Sequence, residues 1–203
     1  LHCIDPSSAI DVARSRLSAL GNVSLHQASV DDGVLAAGSQ DFGYSLGVLH
    51  HVPDTAQAIR SCVAMLKPGA PFLVYLYYAM DNRGAAFRLA WQCSDRVRRL
   101  VQRLPPAPKH LVTDTIALLV YYPLARTSML LEALGYDVSN VPLSYYRSHS
   151  WYTMRTDSRD RFGTPLEQRF ARHQVEGMMV AAGLVDIRFS DNAPYWCAVG
   201  VKR

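Results

Sequence analysis

The sequence predicts an α/β protein: a doubly wound, mostly parallel sheet with a mostly helical insertion late in the chain. Three observations predict it. Across residues 1–78, short apolar runs alternate with helical patterns in the order β-α-β-loop-β-α-β, as in a sheet covered by helices. Residues 79–165 break that rhythm with basic and aromatic helical segments. Residues 166–203 resume it with a helix and two strands. The chain has 203 residues, 49% of them hydrophobic, which is ample for a core.

"LHCID" reads as a strand running into a turn. Ser7 or Ser8 can cap the helix that follows. Its apolar stripe is Ile10, Ala13, Leu17 and Leu20, and Gly21 stops it. "VSLHQAS" (23–29) alternates apolar and polar residues as a half-buried strand does. "DFGYSLGVL" (41–49) reads as a third strand, and 54–66 as a helix closed by Lys67-Pro68-Gly69. "PFLVYLYY" (71–78) is continuously apolar, as expected of a strand buried on both faces.

In the insertion, "FRLAWQCSDRVRRLVQRL" is a basic amphipathic helix. Leu100, Val101 and Leu104 are expected on one side and Arg99 and Arg103 on the other, with "PPAP" (105–108) as the stop. A second helix is expected over 113–134, with Gly135 closing it. "IALLVYYPLA" (116–125) is too short to span a bilayer and reads as a buried helix. Near the end, 172–183 reads as a helix, and "LVDIRFS" and "YWCAVGVKR" as an antiparallel pair at the sheet's edge.

The net charge of +4 permits an anionic partner but is far from a nucleic-acid signature. Cys3, Cys62, Cys93 and Cys197 lie far apart, which points to reduced thiols and a cytoplasmic protein. His50 and His51 are adjacent at a strand end and point in different directions. With no HxxxH or HxH spacing beside them, no metal site is expected.

Five segments in this order and spacing resemble a class I S-adenosylmethionine-dependent methyltransferase of the small-molecule kind: "CIDPS" (3–7), "HQASV" (26–30), "DFGYSLGVLHHVPD" (41–54), "MLKPGAPFLVYLYY" (65–78) and "VEGMMVAAGLVDI" (175–187). The resemblance implies a Rossmann-like sheet and S-adenosyl-L-methionine as cofactor. It divides the chain into a core at 1–78, a cap or lid at 79–165 and a core-completing tail at 166–203. It implies that Asp5 accepts hydrogen bonds from the ribose hydroxyls, although Asp-Pro-Ser is also turn chemistry. It places Ser29 where the family carries an acid for the adenine amino group, with Asp31 and Asp32 close by. It gives Leu46 and Gly47 to the methionine part of the cofactor. His50 would orient the acceptor or act as general base, or else merely bond loop backbone.

One family feature is missing. No G-x-G occurs anywhere in these residues, so the glycine loop of the family's first strand is absent. Two expectations follow: an N-terminally truncated piece of a longer enzyme, which is the favoured one, or a relative that lost its cofactor and serves as a non-catalytic binding or regulatory subunit. A nicotinamide-dependent enzyme on the same kind of sheet is disfavoured by the Lys-Pro-Gly turn and "GVLHHVPD". The acceptor is expected to be a small molecule, anionic or lipid-linked, with no nucleic acid involved. Tyr145, Tyr146, Arg155 and Asp160 are the candidate acceptor-binding residues, or they tie the insertion down. The helix around Arg96 to Arg103 either touches a membrane surface or is a solvated face.

Overall fold

The computed structural model describes residues 1–81, 84–139, 141–192 and 196–203. The chain divides into two compact units. One is an α/β unit of Leu1–Asp81 and Leu166–Arg203, and the other is a helical unit of Asn82–Pro165.

The α/β unit holds two sheets. β1 (His2–Ile4) pairs in parallel with β2 (Ser24–His26), with α1 (Ala9–Leu17) between them in sequence. The second sheet has the order β3-β4-β6-β5. β3 (Gly43–Leu46) and β4 (Pro71–Tyr75) are parallel and joined by α2 (Thr55–Ala64). β6 (Cys197–Lys202) runs antiparallel to both β4 and β5 (Leu184–Phe189), so it lies inside the sheet, and of this pair β5 alone is an edge. Among the described residues, β1 and β3 each have a strand neighbour on one side only.

Local chemistry explains most element ends. Asp54 caps α2 by accepting from Gln57 N at 2.8 Å. α7 (Arg172–Ala181) ends ahead of Gly183, which takes φ +90°. The core packs α2 and α7 on β4 and β6 through Ile59, Val63, Phe72, Val74, Leu76, Val175, Met179 and Ala198. β4 alternates buried and half-buried residues rather than being sealed on both faces. β3 goes further: Phe42, Tyr44, Leu46 and Val48 share one face by their spacing, and each is about half exposed (49–52%). α1 is also loosely held, for only Ile10 of its expected stripe is buried and Leu20 is 50% exposed.

The helical unit contains α3 (Ala85–Val101), α4 (Pro106–Ile116), a π-helical turn (Ala117–Tyr121), α5 (Tyr122–Ala133) and α6 (Trp151–Gly163). The prolines at 105 and 106 start α4 as well as ending α3, because a first-turn N–H has no helix hydrogen bond to lose. Val101, Tyr121, Ala125, Met154 and Phe162 form a small core of their own. Two expectations need correction. "IALLVYYPLA" is buried on one face only: Ala117, Tyr121 and Ala125 point in, while Leu118, Leu119 and Val120 are 54%, 66% and 43% exposed. Leu100 does not share a side with Val101. It is 66% exposed while Val101 is 5% exposed, because successive helix residues lie about 100° apart.

Candidate active site at the carboxyl ends of the strands

In open α/β sheets ligands sit beyond the carboxyl ends of parallel strands. Asp5 follows β1, and its backbone N donates to His26 O at 3.1 Å, continuing the β1–β2 ladder. Its Oδ1 accepts from Ser7 N at 2.7 Å and from Ser7 Oγ at 2.6 Å. Ser7 Oγ in turn accepts from Ala9 N at 3.2 Å. The turn reading of Asp5 is thus present in this side chain. Oδ1 builds the turn into α1, and Oδ2 accepts no hydrogen bond among the described residues.

Ser29 lies at the corresponding place beyond β2. Its N donates to Asp32 Oδ2 at 2.7 Å and its Oγ accepts from Asp31 N at 3.4 Å, a reciprocal cap on the 3₁₀ turn Val30–Asp32. Asp31 Oδ1 accepts from Ser61 Oγ at 2.6 Å. The residues around the expected adenine contact are therefore largely spent on one another.

β3 ends at Leu46, which is 49% exposed, and Gly47, which takes φ +72°. A side chain is strained in that conformation. Gly47 N donates to Tyr75 O at 3.0 Å, tying the turn to the end of β4.

The chain then enters a 3₁₀ turn, Leu49–His51, that buries His50 completely. The His50 ring stacks on Tyr77 at 3.8 Å and lies 4.1 Å from His51. Among the described residues neither ring nitrogen of His50 has a hydrogen-bond partner. Burial, helped by the nearby His51 and Arg169 charges, lowers its pKa to about 3. This imidazole is neutral at physiological pH and a weak base. His51 differs, because its Nδ1 donates to Leu166 O at 2.7 Å.

Residues 166–170 form a strap across these strand ends that the sequence did not reveal. Gln168 N donates to His50 O at 3.0 Å and Gln168 Nε2 to Val52 O at 2.6 Å. Phe170 N donates to Tyr77 O at 2.9 Å. The Arg169 guanidinium lies 5.2 Å from the Tyr77 ring centroid. It pairs with Glu167 at 2.7 Å, with side chains 10% and 3% exposed. Tyr77 thus carries an imidazole and a guanidinium against its ring. Burial, reinforced by Tyr77, pushes the Tyr75 phenol up to about 12, so it stays a donor. The signal for Tyr77 was its place at the end of "PFLVYLYY". Glu167 and Arg169 are two residues apart in a polar loop and gave none.

The helical unit's candidates do not converge. Tyr145 is 65% exposed against His149. Tyr146 packs on Tyr121 at 5.2 Å, and burial there, with Tyr121 and Asp157, raises its pKa. Arg155 lies 3.9 Å from Asp114, which Arg159 already holds at 2.7 Å. Asp160 O accepts from Thr164 N and Oγ1 at the end of α6. Among the described residues no group of three His, Cys, Asp or Glu side chains could hold a metal ion.

Residues 1–74 match the sequence family described as a methyltransferase domain. Over these residues, just over a third of the chain, it is similar to a methyltransferase domain. Solved structures agree on the fold of this chain. An O-methyltransferase family protein from Burkholderia thailandensis is 14% identical, with TM-score 0.51, over 99% of this chain and 43% of that one. A possible exported protein from Bordetella parapertussis is 16% identical, with TM-score 0.50, over 100% of this chain and 53% of that one. The CMeT domain of a citrinin polyketide synthase is 9% identical, with TM-score 0.50, over 98% and 38%. The chain therefore spans about half the length, or less, of these structures. No curated protein matches it.

Proposed function

We propose that the α/β unit binds S-adenosyl-L-methionine beyond β1 and β3, and that the whole protein transfers its methyl group to a small-molecule acceptor. One observation carries the reading. The carboxyl end of one parallel pair presents a carboxylate with an uncommitted oxygen, Asp5, and that of the other presents a left-handed glycine, Gly47. The donor set fits the cofactor. Asp5 Oδ2 suits a ribose hydroxyl, and Gly47 lets backbone approach the methionine part without a side chain in between. Ser29 fits less well, since it already caps its own turn.

The cofactor, when bound, supplies an activated methyl group open to in-line displacement. The protein's task is then to align the acceptor and remove its proton if it has one. Tyr75 offers a donor at the right end of the sheet, and Tyr77 holds the buried Arg169–Glu167 pair beside it. In this reading His50 is a neutral packing partner that orients Tyr77 rather than a strong base. Four unpaired thiols suit a reducing compartment such as the cytoplasm.

The edges of β1 and β3 that are free among the described residues, and the bare apolar face of Phe42, Tyr44, Leu46 and Val48, support one further element. A parallel strand pairing with both edges would join the two sheets and bring the missing glycine loop between Asp5 and Gly47. Titration calorimetry with S-adenosylhomocysteine tests this on the 203-residue chain and on the protein extended upstream by roughly fifty residues, one βα unit. Micromolar binding by the extended protein is expected. Asp5→Asn keeps the turn acceptor but removes the charge, and should weaken binding about tenfold or more. No binding by either protein would overturn the reading in favour of a cofactor-free binding subunit.

A further inference from the structure

The two units differ in charge. Residues 82–165 hold twelve Lys and Arg against six Asp and Glu, a net +6. The α/β unit holds nine against eleven, a net −2, which together give the chain's +4. The excess is concentrated on α3. That helix turns Arg98 and Val101 inward, at 8% and 5% exposed. Its single acid, Asp95, is only 16% exposed and is bound by Arg98 and Arg99, each at 2.9 Å.

At about 100° per residue, Leu89, Cys93, Val97 and Leu100 form one line along the outward face. Leu89, Val97 and Leu100 are 59%, 44% and 66% exposed. Arg88, Arg96 and Arg99, with Arg103 in the turn that follows the helix, are exposed and flank this line on one side. We infer that the outward face of α3 docks on the surface of a bilayer rich in anionic lipid.

The face has the two components such docking needs: an apolar line to enter the headgroup boundary and a row of guanidiniums to pair with phosphates. It lies on the surface rather than crossing it. Among the described residues no helix is long and apolar enough to span a membrane. Charge decides against a second copy, which would set four arginines against four arginines. The apolar line decides against nucleic acid, which would leave Leu89, Val97 and Leu100 facing phosphate and water.

Co-sedimentation of the 203-residue chain with vesicles tests the inference, comparing pure phosphatidylcholine with phosphatidylcholine containing phosphatidylglycerol. Binding is expected to the anionic vesicles only, and molar salt should release most of it, since the screening length falls to about 3 Å. Leu89→Asp with Leu100→Asp should weaken binding about tenfold or more, and Arg96→Glu with Arg103→Glu by a similar factor. All four side chains are exposed, so far-ultraviolet circular dichroism and melting should not change. Equal binding to both vesicle types, no binding, or binding unmoved by either pair would overturn the inference. So would a dimer in sedimentation velocity that the leucine pair dissociates, which would make this face an interface between copies.

Discussion

The α/β unit and the helical unit obey the same physics with opposite transparency. In the first, apolar residues at period two or 3.6 mostly turn inward. Ile59, Leu76, Val74 and Met179 are sealed, and each was apolar in an apolar run or on the apolar stripe of a helix. In the second, apolar residues are nearly as dense, yet Leu100, Leu111, Leu119, Leu130 and Leu134 are 60–70% exposed. The lesson is that a sheet gives its helices a broad surface to cover. A small group of helices buries one narrow stripe of each, and apolar residues elsewhere are left for partners or for solvent.

The largest expected effect breaks that comparison if it fails. Leu76→Ala and Ile59→Ala should each cost about 3 kcal/mol, because each empties a fully buried site on the β4 or α2 face. Leu118→Ala in the helical unit should change stability by less than about 0.5 kcal/mol, because the side chain is 54% exposed. Urea unfolding of the three variants measures this directly. Similar losses for all three would mean that the helical unit's outer apolar face is covered in solution.

Acid should find the α/β unit through His50. Its pKa is about 3 in the folded chain against 6.5 when unfolded, so between those values only the unfolded chain takes the proton. Stability from this residue is therefore fully present above pH 6.5 and falls as pH drops toward 3. The loss between neutral pH and pH 4 should approach about 3 kcal/mol. His50→Leu should remove that part of the acid slope. It should cost little at neutral pH, since it also removes two buried nitrogens that lack partners among the described residues. Parallel slopes for the two proteins would show that the ring is hydrated or paired in solution.

These residues also show how much the sequence could say. The order of elements was legible because alternation and punctuation are local: Asp54, Gly47, Gly135 and Gly183 each sit where a cap or a left-handed turn requires them. Asp5 and Gly47 were legible as strand-end residues for the same reason. The strap of Glu167, Gln168 and Arg169 was not, because it reaches His50 and Tyr77 across more than ninety residues of sequence. Nor was the state of Ser29, whose commitment to Asp31 and Asp32 depends on a turn only the backbone reveals. The burial of His50 was invisible too, for adjacent histidines at a strand end carry no sign of which one the next turn will enclose.

The smallest expected effects sharpen the comparison most, because they ask whether the two cores respond separately. Asp54 caps α2 and Ser150 caps α6, the latter accepting from Thr153 N at 3.2 Å. The chemistry is the same, so replacing either residue with alanine should cost about 1 kcal/mol. The cores these helices join share no residue: α2 contributes Ala58, Ile59 and Val63 to one, and α6 contributes Met154 and Phe162 to the other. Amide hydrogen exchange reads them apart. Asp54→Ala should speed exchange about fivefold in α2, β4 and α7 and leave α6 unmoved, while Ser150→Ala should do the reverse. If either substitution accelerates exchange equally in both sets, the units open as one body. The exposed leucines of the helical unit would then have to be weighed against the stability of the whole chain rather than of a unit that opens alone.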